Sequence, residues 1–126
     1  MFKDILLVAV GGAVGSAARY LCVAGVNRSA ILASFPWGTL VVNVLGCLII
    51  GFLGGLAGTK QLFAHSGRLF LFTGILGGFT TFSAFGLETF YLLRSSQWAL
   101  AFGNIFLQLF LGIGAVAIGY WLSELL

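Results

Sequence analysis

Four long stretches of mostly apolar residues, separated by short polar connections, organise this chain. A helix needs about 20 predominantly apolar residues to cross the hydrocarbon core of a bilayer. The pattern supplies four such spans, over residues 5–26, 37–58, 69–93 and 98–122. The connections read NRSAILASFP, TKQLFAHSGR and the tight RSSQ. The predicted class is an all-α integral membrane protein, with a single four-helix transmembrane domain over residues 1–126.

Composition points the same way. Of 126 residues, 60% are hydrophobic and 7% charged, and the mean hydropathy is +1.13, which takes the chain outside the soluble globular class. A cleaved signal peptide does not account for this, because the apolar character recurs to the last residue. No stretch is left for a soluble domain that would bind nucleotide or nucleic acid. Cys22 and Cys47 fall inside spans without CxxC spacing and read as small apolar packing residues. His65 is the single histidine and is expected in a solvated loop.

Charge changes the picture more. Lys and Arg normally concentrate in cytoplasmic loops and set orientation. Here Lys3, Lys60 and Arg68 fall on one side, and Arg28, Arg94 and Arg19, the last placed near the end of the first helix, fall on the other. Two readings stay open: one strong residue decides the topology, or the chain inserts both ways and two copies associate antiparallel to build a site neither builds alone. Many transporters obtain that geometry from inverted repeats within one chain. No such repeat is visible here, so a second copy would have to supply the symmetry. Gly11 and Gly15, Gly51 and Gly55, Gly54 and Gly58, and Gly74 and Gly78 stand at GxxxG spacing, which suits close helix contact.

Polar groups inside a span cost free energy unless satisfied, so each is a candidate for function. They are Arg19, Thr39, Asn43, Thr80, Thr81, Ser83, Glu88, Asn104 and Gln108. Thr39 and Asn43 are one turn apart on the second span, and Asn104, Gln108 and Gly112 continue one line on the fourth. These residues offer no metal cluster, no paired carboxylates and no nucleophile with a base, so an enzyme is not expected. They offer hydrogen-bond donors, which suit an anion, and aromatic ring edges are weakly positive as well. Phe79, Phe82 and Phe85, three apart, would fall broadly along one helix face, where packing or lipid contact is the alternative role.

The stretch GGFTTFSAF, Gly77 to Phe85, joins permissive glycines to weak helix formers. A helix break near Gly77–Thr81 is expected, tolerated at that depth only where protein or a water-lined cavity satisfies the backbone. Carbonyls freed there could hold a cation, as unwound transporter segments do.

GGFTTFSAF followed by GLE, with WGTLVVN upstream and GSAARY in the first helix, resembles the Fluc (CrcB) family of bacterial fluoride channels, and the resemblance covers essentially the whole chain. It implies an antiparallel, dual-topology homodimer in the inner (cytoplasmic) membrane of a bacterium, with two fluoride pores along the subunit interface. On that resemblance Asn43 donates to the ion, coming from the partner subunit relative to the phenylalanines, and the ring edges of Phe82 and Phe85 line the path. Ser83 belongs to a polar track beside them; Thr39, Thr81, Asn104 and Gln108 are further candidate pore residues on their own polarity within the spans. The carbonyls of Gly77 and Thr80 hold a structural sodium ion on the dimer axis. Arg19 is an electropositive mouth or a headgroup anchor, and Glu88 lies near the vestibule. Ala84 stands where relatives often have threonine, and Asn104, Gln108 and Gly112 stand where they often have tyrosine or serine.

Fluoride is small and holds water tightly, so a selective pore must replace its hydration with donors already in position. The implied task is passive export: hydrogen fluoride enters, dissociates, and the anion leaves, helped by an inside-negative potential worth about 2.3 kcal/mol per 100 mV. Two alternatives remain at this level. One is a small four-helix proton-coupled multidrug exporter, which needs a carboxylate in its first helix, where only Asp4 at the membrane edge is available. The other is one subunit of a heterodimeric fluoride channel.

Overall fold

The computed structural model describes residues 1–30, 33–59 and 63–126. Lys60, which entered the charge balance, lies outside the described residues, as do Ile31, Leu32, Gln61 and Leu62 of the two longer connections. The described chain is helical almost throughout: α1 (Phe2–Arg28), α2 (Trp37–Thr59), α3 (residues 65–79), α4 (Phe82–Arg94) and α5 (Trp98–Glu124). Among the described residues four helical stretches are long and apolar enough to cross a membrane: Phe2–Arg28, Trp37–Gly58, His65–Arg94 and Trp98–Glu124. The second matches its predicted bounds, and the others reach a few residues further at one or both ends.

Two expectations about position need correction. His65 opens α3 instead of lying in a loop, following Ala64 in extended backbone. Its side chain stays 78% exposed, 4.0 Å from Asp4 Oδ1, so water solvates it either way. Arg19 is not near the end of its helix, because α1 continues for nine further residues to Arg28. At 1.5 Å per residue that places it roughly 13 Å inside the span.

Alternate spans pair: α1 packs along α3, and α2 along α5. In both pairs the contacts advance together along the two helices, so the partners run parallel. Glycine makes the approach possible. A Cβ on Gly11 would lie 2.7 Å from the Phe70 carbonyl oxygen and 3.0 Å from Gly74 Cα, and one on Gly119 would overlap the Leu48 carbonyl oxygen. In a bilayer such contacts gain dispersion energy and backbone proximity, since lipid tails already satisfy the apolar surface. The Gly54 and Gly58 pair has no such role within the chain, as a Cβ on either would meet nothing within 4 Å.

Gly11→Ala should therefore force α1 and α3 apart by a few tenths of an ångström, at about 1–3 kcal/mol. Its unfolding midpoint in mild detergent is expected to fall below that of the wild type; an unchanged midpoint would show that the α1–α3 contact yields without cost.

The third span changes its winding as it approaches GGFTTFSAF. Residues Leu69–Leu76 are π-wound, and the Gly77 N–H bonds back five residues to the Phe72 carbonyl. Gly77–Phe79 return to α geometry, and then Thr80 (φ −84°, ψ 160°) and Thr81 (φ −153°, ψ 114°) are extended. Wide π turns of this kind recur near functional sites. Helix α4 restarts at Phe82, with Thr81 as its N-cap: the Ala84 N–H donates to Thr81 Oγ1 at 3.2 Å.

Candidate functional site

Two consecutive extended residues remove helical hydrogen bonds, and polar side chains from α1 and α2 supply new partners. The Thr81 N–H, which in a continued helix would bond the Gly77 carbonyl, donates instead to Asn43 Oδ1 at 2.8 Å. Asn43 Nδ2 returns a bond to the Thr81 carbonyl at 3.0 Å. Thr80 keeps its helical bond to the Leu76 carbonyl at 3.0 Å and adds its hydroxyl there at 2.9 Å. The Thr80 carbonyl accepts a long bond, 3.4 Å, from Arg19 Nη1. Arg19 thus points across to the extended segment, which a snorkelling headgroup anchor would not do.

Two open cavities flank the segment and share Thr81. The first, about 350 Å³, is lined by Asn43, Gly46, Cys47, Phe82, Phe85 and Gln108 among others. The second, about 560 Å³, contains Arg19, Thr39, Ser83, Ala84 and Glu88. Within one chain, then, Asn43 faces the same space as both phenylalanines. Their rings meet edge-on, with centroids 5.4 Å apart, and Phe82 is 81% exposed. Phe79 lies before the extended residues and lines a separate apolar cavity with Ala18, Ile49 and Ile75. Ser83 is exposed, its hydroxyl 3.4 Å from that of Thr81.

The fourth-span polar line divides. Gln108 Oε1 accepts from Asn43 Nδ2 at 3.1 Å, so Gln108 belongs to the first cavity. Asn104, one turn away, is fully buried (0% exposed) and donates through Nδ2 to Thr89 Oγ1 at 2.9 Å. Thr89 in turn donates to the Phe85 carbonyl at 2.7 Å. Asn104 therefore braces α4 behind Phe85, and it lines neither cavity. Thr89 carries this link and escaped the sequence reading; its spacing of four residues from Phe85 was the available signal.

Thr39 is buried and donates to Glu88 Oε1 at 2.7 Å. Glu88 also borders a third cavity of about 430 Å³, with Asn27, Ser34 and Gln97 near the α1–α2 connection. It therefore stands between that outer space and the Arg19 cavity. Asp4 sits in the first turn of α1, 3.3 Å from the terminal amine.

Four apolar spans, with amides, hydroxyls, one guanidinium and ring edges gathered at a mid-span interruption, define a multi-pass membrane protein with a polar site inside its helices. The profile of the family described as "CrcB-like protein, Camphor Resistance (CrcB)" matches residues 6–120, and the chain belongs to that family. Similar proteins carry the name "Fluoride-specific ion channel FluC". One from Desulfotalea psychrophila is 45% identical over 95% of this chain and 91% of its own length. One from Methylobacillus flagellatus is 44% identical over 97% and 95%, and one from Helicobacter pylori 44% over 94% and 92%.

Proposed function

We propose that this chain forms a fluoride-selective channel that lets F− leave the cytoplasm passively. The observation that carries the reading is the gathering of Asn43, Gln108, Thr81, Phe82 and Phe85 around one cavity at mid-span, with no lysine or arginine among the lining residues described. Neutral donors can replace the water of a small anion without the deep trap that a fixed cation would make. The names of relatives that match over nine-tenths of their length supply the ion. Transport of this kind is not enzymatic and needs no nucleotide.

The working unit in this reading is an antiparallel, dual-topology homodimer in the inner membrane of a bacterium, with two pores along the interface. Support comes from the even spread of basic residues and from the exposure of Phe82, whose ring has little cover within its own chain. Arg19 serves as the electropositive attractor. Ser83 and Thr39 extend the polar path, and Asn104 supports it from behind.

Sodium fits the residues proposed for it. The Thr81 N–H has left the Gly77 carbonyl for Asn43, and the Thr80 carbonyl carries one long bond, leaving a lone pair. In a dimer these carbonyls would hold the ion as a structural counter-charge at the break, as unwound segments do in transporters.

The test is anion efflux from liposomes that contain the purified protein and fluoride or chloride, under a potassium gradient with valinomycin. Fluoride is expected to leave rapidly while chloride stays. Retention of both by folded protein would overturn the homodimeric channel, and proton-coupled dye uptake would then identify an exporter.

A further inference from the structure

We infer that Asn27 is a positioning residue for the conduction path: from the last turn of α1 it caps the start of α2 and so sets the height at which Thr39 meets Glu88. This rests on the channel reading above. A helix leaves its first N–H groups without intrahelical acceptors, and a side-chain oxygen just before the helix ordinarily takes one of them. Helix α2 begins at Trp37, so its cap position falls to Pro36, which carries no side-chain acceptor. The acceptor comes from another helix instead: the Gly38 N–H donates to Asn27 Oδ1 at 3.1 Å. Polarity is fixed here, because a backbone N–H can only donate, so the amide must turn its oxygen to α2.

The contact is built for that bond. Gly38 is buried, and a Cβ on it would lie 2.8 Å from Val23 Cγ1, 2.9 Å from Asn27 Oδ1 and 3.1 Å from Val23 Cα, so only a bare backbone lets the two helices approach this closely. The next residue is Thr39, also buried, whose hydroxyl donates to Glu88 Oε1 at 2.7 Å. One backbone step thus joins the cap from α1 to the bond that ties α2 to α4. Asn27 and Glu88 border the outer cavity together, and Val23, Thr39 and Glu88 border the Arg19 cavity. Arg19, Val23 and Asn27 are spaced four apart on α1 and share one face of it. Along that face Arg19 reaches the Thr80 carbonyl, Val23 lies against Gly38, and Asn27 holds the Gly38 N–H. The face that meets the mid-span break therefore also sets the start of α2. Without the cap, the first turn of α2 is left with an unmatched donor and frays more readily, and Thr39 lies in that turn.

The test reads fluoride current across planar bilayers, to which uncharged hydrogen fluoride adds nothing. Asn27→Ala removes the acceptor and is expected to lower current about fivefold, the consequence of losing one cap of ordinary strength. Asn27→Asp keeps an oxygen for the Gly38 N–H at a helix start that favours negative charge. It should hold current within about twofold of the wild type in about 1 M salt, which screens the added charge. Thr39→Val keeps the shape but loses the donor to Glu88, and should also cost about fivefold. Because Asn27 acts through Thr39, the double variant Asn27→Ala with Thr39→Val is expected to lose about fivefold in total, whereas independent effects would multiply to about 25-fold. Each variant is first shown to elute as the wild type does. Wild-type current in Asn27→Ala or in Thr39→Val, a loss in Asn27→Asp as large as in Asn27→Ala, or a multiplied loss in the double variant would overturn the assignment. Absence of fluoride current in the wild type would instead remove the channel reading beneath it.

Discussion

Asn43→Asp is expected to lower fluoride efflux by about 100-fold or more, the largest effect among these substitutions. The amide closes three bonds at once: from the Thr81 N–H, to the Thr81 carbonyl, and to Gln108 Oε1. A carboxylate keeps the first and loses the other two, setting a charged acceptor against the Thr81 carbonyl and Gln108 Oε1. Gln108 then gains by turning its NH₂ toward the new carboxylate, which rebuilds the link between the second and fourth spans in another form. The charge itself lowers efflux. Two like charges about 4 Å apart at an effective dielectric near 20 repel by about 4 kcal/mol, roughly three decades of occupancy before solvent screening. Liposome efflux of fluoride, with elution profile and helical content as folding controls, measures it. Wild-type efflux from well-folded protein would remove Asn43 from any pathway and make its three bonds purely architectural.

Phe82→Ile should reduce efflux about fivefold while leaving assembly intact, the size expected when an aromatic edge worth about 1 kcal/mol is replaced by a methyl group. Phe82 has little packing to lose within its own chain, being 81% exposed, and its main described aromatic contact is the edge-on meeting with Phe85. Isoleucine retains an apolar surface for lipid or for a second copy. A ring that served only to fill space would therefore tolerate the change. Efflux equal to that of the wild type would return Phe82 to a packing role; loss of the dimer on crosslinking would place it in the interface and not in the path.

Hydropathy and short-range chemistry made a large part of this protein legible in one dimension. Each span is long enough to cross the hydrocarbon core, and apolar runs of that length have few alternatives. Gly77, Gly78, Thr80 and Thr81 weaken a helix through local backbone and side-chain preferences, which need no partner to be read. The donors Asn43, Thr81 and Gln108 were visible because polar residues are rare inside a span.

What the sequence left open is which of those residues meet. In a soluble helix the apolar stripe marks the buried face, but in a bilayer the lipid-facing and helix-facing sides are both apolar, and the pattern no longer says how a helix is rotated. Only tertiary packing placed α1 along α3 through Gly11 and Gly74, and so brought Arg19 to the Thr80 carbonyl. The same packing separated Asn104 from Gln108, although they share a helical line: one bonds Thr89 in the buried contact with α4, and the other reaches the cavity through Asn43. Sequence determined which groups need partners inside the membrane; the rotation and approach of the helices decided which partners they found, because hydrogen bonds depend on distances of a few tenths of an ångström that no linear pattern encodes.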